Sequence, residues 1–481
     1  MHLPVILRVT GILLTLFSLA LFFPVVVALI YGENTTPTFA LAFAITLTTG
    51  AALTLSSRGQ RELRSGDGFL ITVLFYLGLG LFGAIPLYLA ESVDASFTDA
   101  AFESLSGLTT TGATVLTGLD DLPRSILFYR QQLQWLGGMG IIVLAVAILP
   151  MLGIGGMQLY RAESPGPVKD NKLTPRITET AKALWYLYLS ITILCALAYW
   201  LAGMDVFDAI CHSFATVAIG GFSTHDASIG YFNSGAIEAV AVVFMILSGI
   251  NFGLHFMAWH RRDLSLYWHD REVRAYLVML AGIALVVCWL LAGDEALSSS
   301  PVRDGIFQTV SIATTTGFTT SNFSLWPSAA PVLLLFAAFA GGCAGSTAGG
   351  IKIVRVLLIY LQGMREIKRL IHPNGVFSIK LGPNRVPDRV IDAVWGFFSV
   401  YVIVFLTMVT LVMLVTSLDF LTAFSAVGAC LNNLGPGLGS VALNYASLPD
   451  AAKWLLIFSM LLGRLEIFTL LVLLTPQFWR R

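Results

Sequence analysis

Apolar residues in this 481-residue chain form ten runs long enough to cross a membrane as helices. Between the later runs lie pieces that are too short and too polar to cross, so each must enter and return. Such a backbone is tolerated where protein surrounds it or where it lines a wet cavity. The expected unit is therefore helix, pore loop, helix, repeated four times after two extra helices. The ten runs lie near 5–31, 37–56, 69–90, 125–153, 183–203, 235–259, 273–293, 330–360, 391–416 and 453–476.

This pattern predicts an all-α integral membrane protein with four pseudo-symmetric helix–pore loop–helix repeats around a central pore and two extra N-terminal transmembrane helices. The predicted divisions are two N-terminal helices in 1–66 and repeats in 67–160, 161–262, 263–370 and 371–481.

A glycine-containing loop ends each short piece. The four glycines, Gly112, Gly221, Gly317 and Gly435, are 109, 96 and 118 residues apart. Four similar hairpins around one axis can build an ion pore from a single chain. The loops are Thr109–Thr114, Ala218–Ser223, Thr314–Thr319 and Asn432–Gly437.

Backbone carbonyls can replace the water shell of a cation without a fixed charge that would trap it. Turning successive carbonyls toward one axis requires residues that accept a positive φ, as glycine does. Close helix packing is the alternative reading of these glycines. Threonine hydroxyls can contribute only in the first and third loops, so carbonyls should dominate. The expected cation ligands are Thr110, Thr111, Gly112, Ile219, Gly220, Gly221, Thr315, Thr316, Gly317, Asn433, Leu434 and Gly435.

Residues that favour helix N-caps stand thirteen positions before each glycine: Asp99, Asp208, Asp304 and Thr422. They predict a pore helix of about nine residues in each repeat, with the negative end of its dipole toward the loop. A cation at that end is stabilised.

A glycine-rich segment, Gly341–Gly350, interrupts the apolar run 330–360. Five glycines in ten residues weaken a helix by about 1 kcal/mol each, so the segment should unwind and obstruct the pore. Arg464, inside another apolar run, is expected to donate to its carbonyls. A helix-packing face and a structural salt bridge are the respective alternatives. The predicted gate residues are Gly345, Ser346, Thr347, Gly349, Gly350 and Arg464.

Hydrophobic residues make up 56% of the chain and charged residues 12%, a balance that excludes a soluble fold. Lys and Arg concentrate in alternate loops, with five in 161–182 and eight in 352–389. The positive-inside rule places these loops and both termini in the cytoplasm. The opposite mouth is acidic and should concentrate cations; its acids are Glu33, Glu91, Asp94, Asp99, Asp120, Asp121, Asp208, Asp226, Asp294, Glu295, Asp304 and Asp419.

Two basic cytoplasmic stretches, Arg161–Lys182 and Gln362–Arg389, are long enough to dock a partner, although plain linkers are the alternative. No nucleotide-binding motif, metal-ligand spacing or catalytic triad is present, so an enzyme is disfavoured. The pair His225–Asp226 is expected to be solvated surface. A secondary transporter that couples its ion to protons or sodium is the main alternative to a gated conductor. It needs ionisable groups on the ion path, and Glu103, His212, Arg464 and Glu466 are the few candidates.

The chain resembles the Trk/Ktr/HKT superfamily of potassium transporters over essentially its full length. The resemblance rests on the four loops, Gly137–Gly140, Ala344–Gly350, Asn432–Gly437 and Leu461–Glu466. It implies potassium uptake across a bacterial inner membrane, with potassium as the transported ion and no organic cofactor in this chain. It also implies a homodimer in the lipid bilayer with a cytosolic TrkA-like regulatory ring that binds nucleotides, and no nucleic acid. Within the superfamily, glycine at all four filter positions goes with potassium preference and serine at the first with sodium transport, so the resemblance implies potassium for Gly112.

Overall fold

The computed structural model of the chain describes residues 3–56, 65–138, 140, 177–293, 300–327, 329–382 and 384–480. Across these ranges the chain consists of helices joined by loops, with one small antiparallel hairpin. The hairpin pairs β1 (Lys380–Leu381) with β2 (Asn384–Arg385). The predicted all-α class is confirmed.

The N-terminal part forms α1 (Leu3–Ala20), α2 (Phe22–Tyr31) and α3 (Thr36–Ser56). Helices α1 and α3 cross where Gly11 faces Gly50. A Cβ on Gly11 would lie 2.7 Å from the Gly50 carbonyl oxygen. Small residues at the crossing let the two backbones approach closely, as is typical of helix pairs in membranes.

Each repeat then contains a first helix, a short pore helix, an extended loop, a 3₁₀ turn and a second helix. Repeat 1 comprises α4 (Ser65–Leu89), pore helix α5 (Phe97–Leu108), the turn Leu119–Asp121 and α6 (Arg124–Gly138). Repeat 2 comprises α7 (Ile177–Leu201), pore helix α8 (Val206–Ala218), the turn Ser228–Phe232, α9 (Gly235–Ser248) and α10 (Phe252–Arg261), and α11 (Ser265–His269) follows it.

Repeats 3 and 4 follow the same order. Repeat 3 comprises α12 (Arg271–Ala292), pore helix α13 (Pro301–Ala313), the turn Phe323–Leu325, α14 (Ala329–Ala340) and α15 (Ile353–Ile371). Repeat 4 comprises α16 (Asp388–Val415), pore helix α17 (Phe420–Leu431), the turn Gly439–Val441, α18 (Asp450–Arg464), α19 (Phe468–Leu474) and the short α20 (Pro476–Trp479). The exact domain boundaries stay a prediction.

Six of the predicted crossing segments are apolar and of spanning length, five as single helices and the first as α1 and α2 together. Two others, 235–259 and 453–476, were expected to be continuous, and this was wrong. The first bends by 92° between α9 and α10 and the second by 117° between α18 and α19. The second break coincides with positive φ at Glu466 and Ile467, a conformation that a helix cannot continue through. The segment 125–153 is described only as far as residue 138, and at residue 140.

The glycine-rich segment unwinds as predicted. Helix α14 ends at Ala340, α15 begins at Ile353, and the intervening backbone is irregular. Gly341, Gly345 and Gly350 all have positive φ. Glycine adopts this conformation without the steric cost that other residues meet.

The pore helices begin earlier than predicted. The N-cap residues are Ser96, Asp205, Ser300 and Asp419, three or four positions before Asp99, Asp208, Asp304 and Thr422. In repeats 1, 2 and 4 the cap side chain accepts from the backbone N–H of the residue three positions later. The predicted residues thus occupy the first turn rather than the cap. The helices are accordingly 12 or 13 residues long.

Most residues of each pore helix are buried among the longer helices. Surrounding protein is what permits a helix too short to span the bilayer, and the loop after it, to lie at membrane depth.

Candidate functional site

All four loops leave their pore helices by the same turn. The residue two positions before each glycine has a left-handed backbone, with φ between 53° and 66°: Thr110, Ile219, Thr315 and Asn433. Its N–H bonds to the carbonyl three residues back, and the next N–H bonds to the carbonyl five residues back. This is the hydrogen-bond pattern of the Schellman helix end, which usually carries glycine at the left-handed position.

Here that position is never glycine, and in three repeats it is a β-branched threonine or isoleucine. A side chain in this conformation costs about 1–3 kcal/mol, and such residues persist where the surroundings impose them, often at functional sites. Four equivalent strained positions indicate that the loop geometry, rather than local preference, is being maintained.

The four glycines close the loops into a ring. A Cβ built on Gly112 would lie 2.0 Å from the Gly220 carbonyl oxygen, and one on Gly221 would lie 2.0 Å from that of Thr316. A Cβ on Gly317 would lie 2.1 Å from the Leu434 oxygen. Gly435 completes the circuit, with the Thr111 oxygen 2.8 Å from its Cβ position. Each glycine therefore lies against the carbonyl that precedes the glycine of the next repeat. The predicted arrangement of four loops around one axis is present.

Threonine hydroxyls act inside the first and third loops. The Thr109 and Thr111 oxygens are 2.8 Å apart, and those of Thr314 and Thr316 are 2.7 Å apart. Thr109 and Thr314 already donate to helix carbonyls. Thr111 and Thr316 must therefore be the donors of these pairs, since each hydroxyl has one hydrogen. They keep lone pairs but have no free O–H.

Buried side chains brace the loops from behind, and sequence patterns alone did not identify most of them. Gln134 Nε2 donates to the Gly220 carbonyl at 2.6 Å, and Tyr445 Oη donates to the Gly435 carbonyl at 2.8 Å. Glu103 forms a 2.7 Å ion pair with Arg130, and both side chains are buried. His212 bonds to the Asp208 carbonyl and to Ser223 Oγ, which agrees with the packed histidine expected there.

The acidic mouth is partly neutralised by direct contacts. Asp99 pairs with Lys453 at 2.6 Å. The Glu33 carboxylate accepts from the backbone N–H groups of Arg124 and Ser125. These acids thus have structural partners, so the attraction of the mouth for cations is smaller than their number suggests. Asp294 and Glu295 lie outside the described residues.

His225 is not the solvated surface residue that was expected. Its ring stacks on Tyr231 with centroids 3.5 Å apart, and its nitrogens bond to Asp120 and Asp208 carboxylates at 2.5 Å and 3.1 Å. It therefore links the loop of repeat 1 to the pore-helix start of repeat 2. Burial lowers the pKa of His225, but the hydrogen bonds to Asp208 and Asp120 outweigh burial and hold the pKa above its usual range.

This raised pKa predicts that the contact of His225 with Asp120 and Asp208 stabilises the folded protein in a pH-dependent way. Because the folded pKa exceeds the unfolded value near 6.5, the stabilisation is complete below about pH 6.5 and is lost as pH rises through the folded pKa. We expect His225→Gln to lower the melting temperature of detergent-solubilised protein more at pH 6 than at pH 8.5. His269→Gln, at an exposed histidine that bonds to the Ser265 carbonyl, is the control. An equal loss at both pH values would contradict the link.

The glycine-rich loop packs against the ends of three pore helices. Thr347 Oγ1 donates to the Val217 carbonyl at 2.9 Å, in repeat 2. The Gly349 N–H donates to Thr315 Oγ1 at 2.8 Å, in repeat 3, and the Gly350 N–H donates to the Asn432 carbonyl at 3.1 Å, in repeat 4. The loop therefore lies directly beneath the ring, at the C-terminal ends of the pore helices.

Arg464 lies beneath the remaining repeat. Its described hydrogen bonds go to Tyr76 Oη, Thr110 Oγ1 and the carbonyls of Gly137 and Gly138. The expected bonds from Arg464 to carbonyls of the glycine-rich loop stay a prediction. Two other side chains hold the glycine-rich loop: Lys352 donates to the Ala348 carbonyl, and Glu272 accepts from the Ala344 N–H at 2.6 Å.

The helices of spanning length and the closed ring of loops define a multi-pass membrane protein with one four-repeat site on its axis. Residues 35–481 match the family model described as TrkH, cation transport protein. The chain belongs to this TrkH family, which confirms the resemblance read from its loops. Members of the family are transporters, and the chain is not an enzyme.

Relatives match along the whole chain. Proteins named Trk system potassium uptake protein TrkH are 56% identical over 485 residues in Halomonas elongata, with 100% of both chains covered, and 58% identical over 481 residues in Vibrio parahaemolyticus, with 99% of both covered. The crystal structure of the potassium transporter TrkH from Vibrio parahaemolyticus superimposes with a TM-score of 0.91 at 54% identity, and 100% of both chains is covered.

Proposed function

We propose that this chain takes up potassium through the ring formed by its four glycine loops. The observation that carries the proposal is the cyclic contact of each glycine with the carbonyl of the next repeat. Carbonyl rings replace the hydration shell of potassium, and their spacing or field strength discriminates against sodium. The twelve loop residues predicted from the sequence are the proposed ligands, mainly through their carbonyls. The names of the full-length relatives support the choice of ion.

Ion-coupled secondary transport is the weaker alternative, since its candidate groups are occupied. Glu103 is paired with Arg130, and Glu466 with Arg355 at 2.5 Å. Both carboxylates therefore already serve structural contacts within the fold. This favours conduction down the electrochemical gradient over proton coupling.

We further propose that the glycine-rich loop and Arg464 form the gate. Together they contact all four repeats beneath the ring: the loop reaches repeats 2, 3 and 4, and Arg464 reaches Thr110 of repeat 1. The guanidinium at this position would also repel a cation leaving the ring. Opening then requires the loop to leave its hydrogen-bond partners.

Regulation is proposed to come from a cytosolic nucleotide-binding ring of TrkA type on a homodimer of this chain. Among the described residues of 362–389, the basic side chains Lys368, Arg369, Lys380 and Arg385 are exposed. The Lys380 carbonyl also accepts from Arg271 at 3.3 Å, which ties the β1–β2 hairpin to α12. We also propose that the protein lies in the inner membrane, and the positive-inside rule supports a cytoplasmic position for both termini. The stretch Arg161–Lys182 lies outside the described residues as far as position 176.

Flux through purified protein in liposomes tests the proposal. With a protonophore present and no proton gradient, we expect uptake of potassium and rubidium to exceed that of sodium clearly. Uptake that disappears when the proton gradient is removed would instead favour coupled transport. In the same preparation, glutamine at Lys368, Arg369, Lys380 and Arg385 should weaken binding of the cytosolic ring. Unchanged binding would exclude this stretch as the docking site.

A further inference from the structure

Gln134 holds both backbone groups that flank Gly221. It lies on α6, the second helix of repeat 1, and is fully buried. Its Nε2 donates to the Gly220 carbonyl at 2.6 Å, and its Oε1 accepts from the Phe222 N–H at 3.1 Å. A carbonyl can only accept and an N–H can only donate, so a single amide orientation satisfies both contacts.

Arg130 extends this contact from the same face of α6. It lies four residues before Gln134, one helical turn away. Its Nη1 donates to the Ser223 carbonyl at 3.0 Å, and its guanidinium lies 4.3 Å from the centroid of the Phe222 ring. Side chains from one helix of the neighbouring repeat therefore hydrogen-bond to the backbone of the second loop at residues 220, 222 and 223.

Glu103 connects Arg130 to the first loop. The carboxylate pairs with Arg130 and also accepts from Thr114 Oγ1 and from the Val115 N–H at 2.9 Å. Glu103 belongs to the pore helix of repeat 1, and Thr114 and Val115 follow Gly112. The loops of repeats 1 and 2 are thus joined behind the ring through buried, fully paired groups.

We propose that Gln134 is a specificity-determining residue, because it fixes a carbonyl of the ring. The Gly220 oxygen that it holds is the atom against which Gly112 lies. A carbonyl anchored from behind cannot move inward to coordinate a smaller ion, so the ring retains a spacing that suits potassium better than sodium. The inference rests on the proposed function of the ring as the selectivity filter.

The opposite loop has a related anchor. Tyr445 Oη donates to the Gly435 carbonyl in repeat 4, whereas repeats 1 and 3 carry the internal threonine pairs described above. Repeats 2 and 4 face each other across the ring. The bracing therefore differs between repeats: side chains hold the carbonyls of Gly220, Phe318 and Gly435, and Gln134 reaches its carbonyl from the neighbouring repeat.

The test compares Gln134→Met, Gln134→Glu and Gln132→Met in the liposome assay. Methionine removes both hydrogen bonds at similar volume, and we expect the potassium-to-sodium uptake ratio to fall about tenfold while potassium uptake persists. Gln132→Met is the matched control, since Gln132 is also buried on α6 but donates to the Ala20 carbonyl of α1. Its ratio should stay at the wild-type value.

Gln134→Glu adds a second measurement, the pH dependence of the potassium-to-sodium uptake ratio, which a purely structural role of Gln134 would not affect. A protonated glutamic acid can donate to Gly220 and accept from Phe222, whereas the carboxylate can only accept. The ratio should therefore approach the wild-type value at low pH and fall as pH rises, while that of the wild-type protein changes little.

Two outcomes separate the inference from the proposal beneath it. In the first outcome, Gly112→Ser lowers the potassium-to-sodium uptake ratio, but Gln134→Met keeps the wild-type ratio or Gln134→Glu shows no pH dependence. Gln134 is then structural, and the ring is still the selectivity filter. If neither position alters the ratio, the ring is not the selectivity filter. Should the Met variant fail to insert, the pH profile of the Glu variant decides alone.

Discussion

Serine in place of Gly112 is expected to lower the potassium-to-sodium uptake ratio by at least about tenfold, which corresponds to about 1.4 kcal/mol. The added Cβ would lie 2.0 Å from the Gly220 oxygen, so that carbonyl must move by about 1.4 Å to restore van der Waals contact. Binding geometry in functional sites has to be held within about 0.5 Å. Sodium, which accepts closer ligands, should then be rejected less effectively.

The four glycines should not respond equally. The Cβ positions of Gly112, Gly221 and Gly317 lie 2.0–2.1 Å from the neighbouring oxygen, whereas that of Gly435 lies 2.8 Å away. Serine should therefore disturb the first three positions more than the fourth. Liposome flux of potassium and sodium for the four variants measures this order.

Gly118 provides the control for backbone strain. It has a φ of +70°, close to the +79° of Gly112, but a Cβ there would meet nothing within 4 Å. A side chain at such a φ costs about 1–2 kcal/mol wherever it occurs. Gly118→Ser should therefore cost some stability and leave selectivity intact. An equal loss of selectivity in Gly118→Ser, or none in Gly112→Ser, would argue against the ring as the filter.

Loosening the glycine-rich loop should increase potassium flux without the cytosolic partner. Thr347→Val keeps the side-chain shape but removes the donor to the Val217 carbonyl. A neutral hydrogen bond contributes about 0.5–1.5 kcal/mol, so the ratio of open to closed protein should rise about 2- to 13-fold. Gly349→Ala should increase potassium flux more strongly, because its Cβ would lie 2.0 Å from the Asn432 oxygen and would displace the loop from its contacts beneath the ring.

Gly363→Ala on α15 is the matched control, since a Cβ there meets nothing within 4 Å. It should leave flux unchanged. Selectivity should also be unchanged in both loop variants, because the loop lies beneath the ring and not within it. Reduced flux in correctly folded Thr347→Val and Gly349→Ala protein would show that the loop supports the pore rather than closes it. Arg464→Ala extends the test to repeat 1, where Arg464 bonds to Thr110.

Local sequence predicted the parts of this molecule that depend on local chemistry. Apolar runs of spanning length gave the crossing helices, since transfer into the bilayer depends on the composition of each segment. Five glycines between Gly341 and Gly350 predicted the unwound segment, because a helix is weakened by glycine wherever it lies. The repeated loops marked the four pore hairpins. The N-caps of the pore helices nevertheless lie about one turn earlier than predicted, because several polar residues near each helix start can serve as the N-cap.

Tertiary packing decided the rest. Arg464 was assigned to the glycine-rich loop because both are unusual inside apolar runs, but sequence gives no register between helices and could not predict its bonds to Thr110 and Gly137 of repeat 1. Gln134 reads as one of several glutamines on α6 until the fold places it against Gly220 of another repeat, 86 positions away. His225 became a partner of Asp120 for the same reason, across 105 positions.

The sequence alone therefore determined most of the crossing helices, the four loops and the family. Only the tertiary structure determined which carbonyl each glycine faces, which side chains hold those carbonyls, and what lies beneath the ring. Most of those contacts join residues of different repeats, such as Gln134 and Gly220 at 86 positions or Arg464 and Thr110 at 354. Their geometry depends on how helices from different repeats pack together, which no local pattern encodes.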